Sequence, residues 1–541
     1  MRLIDDKTTD FDRLRQTFQW QIPEGLNIAE RICDRHTALA DRPALYCENQ
    51  AGDKAVYTFG QIKALSNRLA NALTGLGVKP QDRVAIILSQ RVETALTHLA
   101  CYKIGAIALP LSILFGPDAL SYRLADSGAA VVITDAAQLE VIQALQTELP
   151  DLKHVIGVHC GVSDAEFWHL LEQGADRPPG VHTRADDPAL LIYTSGTTGP
   201  PKGALVAHRA ILGNLTGFEL SHDFFPQSGD LFWTPADWAW TGGLWDALLP
   251  AWYYAKPVLA YEGGKFDPEK ACDLMGRYNV RNAFIPPTAL KMMRPLSGIR
   301  ERYGLKLRSV MSAGESVGEE LIHWGREALG LTINEMWGQT EFNYLVGNCA
   351  AIMAVRPGSM GKPYPGHTVD VIDPEGRVLP DGETGELAAR VDDPVMFLGY
   401  WKKPDAIQAK ITGEWFCTGD MGYRDADGYL WFVGRMDDVI SSAGYRIGPG
   451  EIENCLLKHP AVLQAAVIGK PDALRGAIVK AFIVLAPGHA PGEQLKADIQ
   501  AAVKSRLAAF EYPREIEFIE ALPMTTTGKI RRIELRRREG S

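Results

Sequence analysis

Between about residues 80 and 135 the chain alternates two kinds of apolar pattern, and this alternation narrows the fold more than any other feature. "RVAIILSQ" is a short unbroken apolar run, as in a strand buried on both faces. "RVETALTHLACYKIGA" repeats its apolar positions at helical spacing, and "AAVVITD" returns to the strand pattern. Strand–helix–strand units predict a mostly parallel sheet with helices on its faces. The rhythm resumes in "ALLIYTSG", "NAFIPPT" and "LRSVMSAGES", with helical segments between them. From about residue 368 the texture changes. "VDVIDPEGRVLPDGETGELAAR" sets turn residues between short alternating runs, the pattern of hairpins. Beyond a stretch rich in Gly, Asp and Arg (420–450), "AAVIGK" and "KAFIVLA" read as strands and "EQLKADIQAAVKSRLA" as an amphipathic helix. At 541 residues the chain is too long for one ordinary domain. The expected fold is α/β. Residues 1–435 form a large N-terminal domain of mostly parallel sheets covered by helices, plus a β-subdomain. Residues 436–541 form a small α+β C-terminal domain, with the boundary near Arg435-Met436-Asp437.

One loop in this frame is chemically biased. "YTSGTTGPPKG", Tyr193 to Gly203, combines Gly196, Gly199 and Gly203 with the hydroxyls of Thr194, Ser195, Thr197 and Thr198 and a single cation, Lys202. The apolar "PALLI" before it predicts a strand, and "ALVAHRAILGNLTGF" after it predicts a helix. Glycines let backbone N–H groups approach a ligand closely, and the loop has no acidic residue. An anion is the natural occupant, and a phosphate the natural anion. The Gly-x-x-x-x-Gly-Lys-Ser/Thr pattern of a Walker A loop cannot be fitted, because Lys202 follows Pro201 and precedes Gly203. Taken alone, the loop is also readable as a flexible surface connection.

Composition removes several classes of function. A formal charge of −10 argues against binding the phosphate backbone of nucleic acid. The one strongly basic run, "KIRRIELRRREG", reads alone as a solvated tail. The eight cysteines are scattered, with no Cys-x-x-Cys pair or Cys/His cluster, so neither a zinc site nor a disulfide framework is expected. Reduced cytosol fits that usage. The charged start "MRLIDDKTTDFDRL" is unlike a signal or transit peptide, and the longest apolar run, "AIALPLSILF", is too short to span a bilayer. A cytoplasmic protein without a membrane span is expected.

Further along, "AGES" (313–316), "MWGQTE" (336–341), "WFCTGD" (415–420), "GRMDD" (434–438), "GYRIGPGEIE" (444–453) and "TTTGKIRR" (525–532) follow the loop in order. This ordered set resembles the adenylate-forming superfamily of acyl-CoA synthetases, luciferases and peptide-synthetase adenylation domains. Among these it looks most like acyl-CoA synthetases of the acetyl-CoA and medium-chain type, and the resemblance covers nearly the whole chain. It implies a two-step reaction. A carboxylate attacks the α-phosphate of ATP to give acyl-AMP and pyrophosphate, and the thiol of coenzyme A then attacks the acyl carbon and expels AMP. The first step brings an anion to an anion, so preorganised donors and cations must offset the developing charge.

On that resemblance the Thr194–Lys202 loop holds the β- and γ-phosphates. Glu341 holds Mg²⁺, Thr340 donates to the α-phosphate, and Trp337 stacks on adenine where many relatives have Tyr. Gly314, Glu315 and Gly338 line the nucleotide pocket. Asp420 accepts from the ribose hydroxyls, and Arg435 and Arg446 reach ribose and phosphate. Lys529 bridges the carboxylate and the α-phosphate. The resemblance further implies that the C-terminal domain is mobile, pivoting at Asp437 between the half-reactions. In the second of these, Gly444 leaves room for the pantetheine arm. Pro523 before "TTTGK" matches relatives whose lysine is reversibly acetylated, which implies an acetyltransferase and deacetylase acting on Lys529.

The acid is read from a departure. Acetyl-CoA synthetases carry "WWQTE", whose second Trp closes the acid pocket, whereas this chain has Gly338 there and Ala313 in place of a Val. Trp240, Thr241 and Gly242 stand where another wall is expected. Loss of an indole predicts space for several carbons, at about 0.8 kcal/mol per buried methylene, and predicts that Gly338→Trp restores preference for small acids. A medium-chain or branched fatty acid is expected. The alternatives are propionate, butyrate or 3-methylthiopropionate if Trp238 or Trp240 fills the space, or an aryl acid. A carrier-protein adenylating enzyme, a luciferase-type oxidase and a non-catalytic nucleotide-binding scaffold are competing readings, and a homo-oligomer is compatible with all of them.

Overall fold

The predicted strand–helix–strand rhythm is realised in the first sheet of the computed structural model. The model describes residues 2–540 apart from 6, 9, 162–163, 195–199, 443–444, 473–475, 508–511 and 526–528. Arg83–Ile87 pairs in parallel with Ile107–Pro110 on one side and Val131–Asp135 on the other, and the fully buried helix Val92–Lys103 makes the crossover between the first two. Val131–Asp135 continues in parallel to His154–Val158, and Ile107–Pro110 to Pro188–Thr194. These strands are apolar on both faces because helices cover both sides. Asp135 ends its strand and caps the next helix, accepting from the Ala137 N–H.

The residues after the phosphate-type loop depart from expectation. Lys202–Ala207 is a strand, antiparallel to Pro188–Thr194 with Thr194 opposite Lys202. Helix begins only at Ala210, in two short pieces, Ala210–Gly213 and Leu215–Ser221. A short apolar run fits either structure by spacing alone. Here pairing on both edges decides for strand, since Gly399–Tyr400 returns to pair with Lys202–Ala207, Tyr400 opposite Ala204.

A second sheet runs, in hydrogen-bonded order, through Asn334–Trp337, Ser309–Ala313, Asn282–Phe284, Phe232–Trp233, Val258–Glu262 and Pro43–Asn49, all parallel to their neighbours. Buried apolar residues of the helices Pro268–Arg277 and Gly318–Trp324, among them Leu274, Met275, Leu321 and Ile322, pack against Val310 and Ala283. Parallel strands share a carboxyl edge. The segments after Trp233, Phe284, Ala313 and Trp337 therefore leave the sheet on one side, where α/β proteins place their ligands.

These two sheets belong to one compact unit, Met1–Thr368 with Val391–Ala409; the other is Val369–Arg390 with Lys410–Ser541. In the second unit Val369–Ile372 and Gly385–Arg390 form the predicted hairpin, which continues antiparallel to Trp415–Arg424 and Leu430–Arg435. Val462–Asp472, Gly476–Leu485 and Glu515–Phe518 form a separate sheet under the helix Glu493–Lys504. Its core includes Val467, Ala481, Ile499 and Val503. Among the described residues no helix is long and apolar enough to cross a membrane.

Candidate active site

In the first unit the loop, its lysine and the "QTE" segment converge through a residue the sequence reading did not single out. Ser195, Gly196, Thr197 and Thr198 lie outside the described residues. The two ends of their loop are held by strand pairing and by the Thr194 hydroxyl, which donates to the Lys202 carbonyl at 3.3 Å. The Lys202 ammonium lies 5.3 Å from the centre of the Tyr400 ring. The Tyr400 hydroxyl donates to the Glu341 carboxylate at 2.6 Å. The Phe397 N–H donates to the Glu341 carbonyl at 2.8 Å. Glu341 is buried, while Thr340 just before it is partly open. Tyr400 comes from the segment that returns to pair with Lys202–Ala207. Its sequence signal, the apolar "VMFLGYW" within hairpin-like texture, has no meaning until that pairing is known.

Trp337 ends its strand partly exposed, with its ring 5.4 Å from that of Phe342. On the neighbouring strand Ala313 pairs with Met336. The chain then turns through Gly314 at φ 93°, where an added Cβ would meet nothing within 4 Å. That is an open, glycine-formed lip beside Trp337. Glu315 follows, accepting from the Thr288 hydroxyl at 3.0 Å. Glu335, also not anticipated, is buried on the strand that ends at Trp337, opposite Ser312. Burial pushes its carboxyl up to about 8, only partly offset by the Val317 backbone N–H.

The expected acid pocket is corrected in one respect. A Cβ on Gly338 would fall on the carbonyl oxygen of Asn343, so the glycine is required by a close backbone approach. The absent indole does not leave a ready void at this Cα, and Gly338→Trp would have to break the turn before it could fill anything. A Cβ on Gly242 would collide with the Phe284 ring, which occupies the space beside the Thr241–Gly242 turn. Trp240 packs edge-on against Phe115, with ring centres 5.8 Å apart.

In the second unit Asp420 stands opposite Arg435 across an antiparallel pair. The guanidinium donates to the buried carboxylate at 2.8 Å, and the Asp420 N–H donates to the Thr418 hydroxyl at 3.1 Å. The Asp437 carbonyl accepts from the Arg536 guanidinium at 2.9 Å, and Asp438 is ion-paired to Arg536 at 2.6 Å. Gly444 lies outside the described residues, and of Arg446 only the backbone, in the strand Tyr445–Ile447, is described. Lys529 is exposed, its N–H donating to the Thr525 hydroxyl at 3.0 Å.

Residues 34–401 match the family model for an AMP-binding enzyme, and residues 451–529 match that for an AMP-binding enzyme C-terminal domain. The acyl-coenzyme A synthetase ACSM3, mitochondrial, of Mus musculus is 33% identical over 547 residues, covering 98% of this chain and 93% of the relative. The uncharacterized acyl–CoA ligase YtcI of Bacillus subtilis is 35% identical over 512 residues, covering 94% of this chain and 95% of the relative. Among solved structures, the anthranilate CoA ligase AuaEII in complex with anthranoyl-AMP superposes with a TM-score of 0.87 at 30% identity, covering 96% of this chain and 98% of that one.

Proposed function

The chain belongs to the AMP-binding enzyme family, and from that membership we infer that it is an acid–thiol ligase of the acyl-CoA synthetase class, forming AMP and pyrophosphate from ATP. The observation that carries the residue-level reading is the Lys202–Tyr400–Glu341 array beside the phosphate-type loop. Lys202 supplies a cation to the triphosphate. Glu341 supplies one carboxylate whose orientation Tyr400 sets. A single carboxylate fits Mg²⁺, which ordinarily takes one or two protein carboxylates and completes its shell with substrate phosphates and water. When bound, the ion neutralises phosphate charge.

Thr340, at the open end of the same turn, is placed in this reading to donate to the α-phosphate while the acid's carboxylate attacks it. Trp337 and Gly314 form the adenine side. Asp420, with Arg435 fixing its carboxylate, takes the ribose hydroxyls. Lys529, on a C-terminal domain spanning 436–541 and pivoting at Asp437, offsets the charge of the meeting anions in the first step and leaves for the second. In that step the thiol of coenzyme A attacks the acyl carbon and AMP departs. The exposure of Lys529 also suits reversible acetylation by a lysine acetyltransferase and deacetylase. Cytoplasmic placement is supported by eight cysteines that are all free thiols.

The acid is larger than acetate in this reading, medium-chain or branched. An aryl acid is the second reading, favoured by the likeness to the anthranilate CoA ligase. AMP release in the presence of CoA, measured across straight, branched and aromatic acids, tests both. Release with four-carbon and longer or aromatic acids and little with acetate is expected. Absence of release, and of acid-dependent pyrophosphate exchange, with every acid would overturn the assignment.

A further inference from the structure

The turn that carries Thr340 and Glu341 is closed by Asn343. Its N–H donates to the Gln339 carbonyl at 2.7 Å, and its own carbonyl fills the place of a Gly338 side chain. Asn343 holds φ at 43°, a left-handed value that a non-glycine residue keeps only where its surroundings enforce it. The enforcing contacts come from its side chain. The Asn343 amide donates to the Asp246 carboxyl at 2.6 Å and to the Asn214 side-chain oxygen at 2.8 Å. The Asn214 amide in turn donates to the Trp245 carbonyl at 2.6 Å. All three side chains are buried. Asp246 and Trp245 lie in the π-helical turn Leu244–Leu248, which directly follows Thr241–Gly243.

We propose that Asn343 is a positioning residue for the Thr340–Glu341 turn, held in its left-handed conformation by Asp246 and Asn214. The three polar side chains thereby couple the segment beside the acyl group to the turn that meets the phosphates. This rests on the acyl-CoA synthetase reading above. Burial of an amide and a carboxyl is costly unless each finds a partner, so a network retained in this core has a job that apolar packing could not do. One end of the turn is secured from the other side by Tyr400 through Glu341. Asn343 secures the opposite end. A buried carboxyl that burial pushes up to about 8 suits this role, because a neutral Asp246 accepts from the amide without placing a negative charge behind a polyanion site.

The test uses the full-length protein and separates the half-reactions: acid-dependent pyrophosphate exchange with MgATP, and thioester formation from supplied acyl-AMP and CoA. Asn343→Ala is expected to lower exchange by about a hundredfold through misplacement of Thr340 and Glu341, to raise the KM for MgATP, and to leave thioester formation little changed. Asp246→Ala should do the same, and the double variant should be no worse than the worse single one. Asp246→Asn, which keeps an acceptor oxygen, should restore exchange. Equal losses in both half-reactions, or additive losses in the double variant, would overturn the proposal. Should Asn343→Ala fail to fold, Asp246→Ala carries the comparison by removing the acceptor of the Asn343 amide: lost exchange with retained thermal unfolding supports the proposal, and unchanged exchange overturns it. The wild-type protein in the same exchange assay distinguishes the two levels, since a wild type without exchange removes the synthetase reading and this inference with it.

Discussion

Glu335 illustrates how much a single side chain's role depends on what covers it. In sequence it is one more acid ahead of "MWGQTE". In the structure it is a buried carboxyl on a central strand, opposite Ser312, pushed up to about 8 from an ordinary value of 4.5. Between those two values the folded protein holds a proton that the unfolded chain has released, so stability falls as pH rises through the window and levels off above it. Glu335→Gln removes the titrating group. The difference in Tm between variant and wild type should therefore move in the variant's favour from about pH 5 to about pH 8. A difference that does not change with pH would show that Glu335 does not carry a proton there. Lys202 could be singled out in the sequence because its loop holds donors and no acid, whereas Glu341 and Asp420 stand out only through the ordered motifs of the family resemblance. Tyr400, Asn343 and Phe284 could not be singled out, because their parts are defined only by neighbours distant in the chain.

At the level of elements, the two glycines of the expected acid wall have different reasons, and mutation should separate them. Gly338 is demanded by backbone, Asn343 carbonyl against Cα, whereas Gly242 faces a side chain, the Phe284 ring. Gly338→Ala must open the turn and should abolish pyrophosphate exchange for every acid. Phe284→Ala vacates space next to Gly242 and should shift the profile of kcat/KM toward longer acids, each added methylene gaining about 0.8 kcal/mol, at a cost in Tm from the lost buried ring. A mere change of chain-length preference in Gly338→Ala would contradict the backbone argument. The strand–helix–strand elements were readable because a strand covered by helices on both sides must be apolar throughout, and a crossover helix must repeat at its own period. The strand Lys202–Ala207 was misread as helix because its partners, Pro188–Thr194 and the returning Gly399–Tyr400, supply the hydrogen bonds that make it a strand, and the second of these lies almost two hundred residues away.

For the whole molecule, the proposed function divides the labour between Lys529 and the rest of the site. Lys529 stands exposed on a loop of the second unit. Lys529→Ala should abolish acid-dependent pyrophosphate exchange while leaving thioester formation from supplied acyl-AMP largely intact, and equal loss of both would refute the division. The sequence by itself determined the α/β class, the order of motifs and, through that order, the family. The anion preference of the phosphate-type loop follows from residue types at short spacing, where chemistry and geometry are set by adjacent bonds, whereas the parts given to the "QTE" acid and the "TGD" aspartate come only with the resemblance. Only the tertiary structure decided that the chain leaves its first unit at Thr368, returns at Val391 and brings Tyr400 to Glu341 and Lys202. It alone decided that Gly338 makes way for a carbonyl, and that a buried Asp246 steadies the turn above it through Asn343. These depend on contacts between residues far apart in the chain, whose energies no local pattern records.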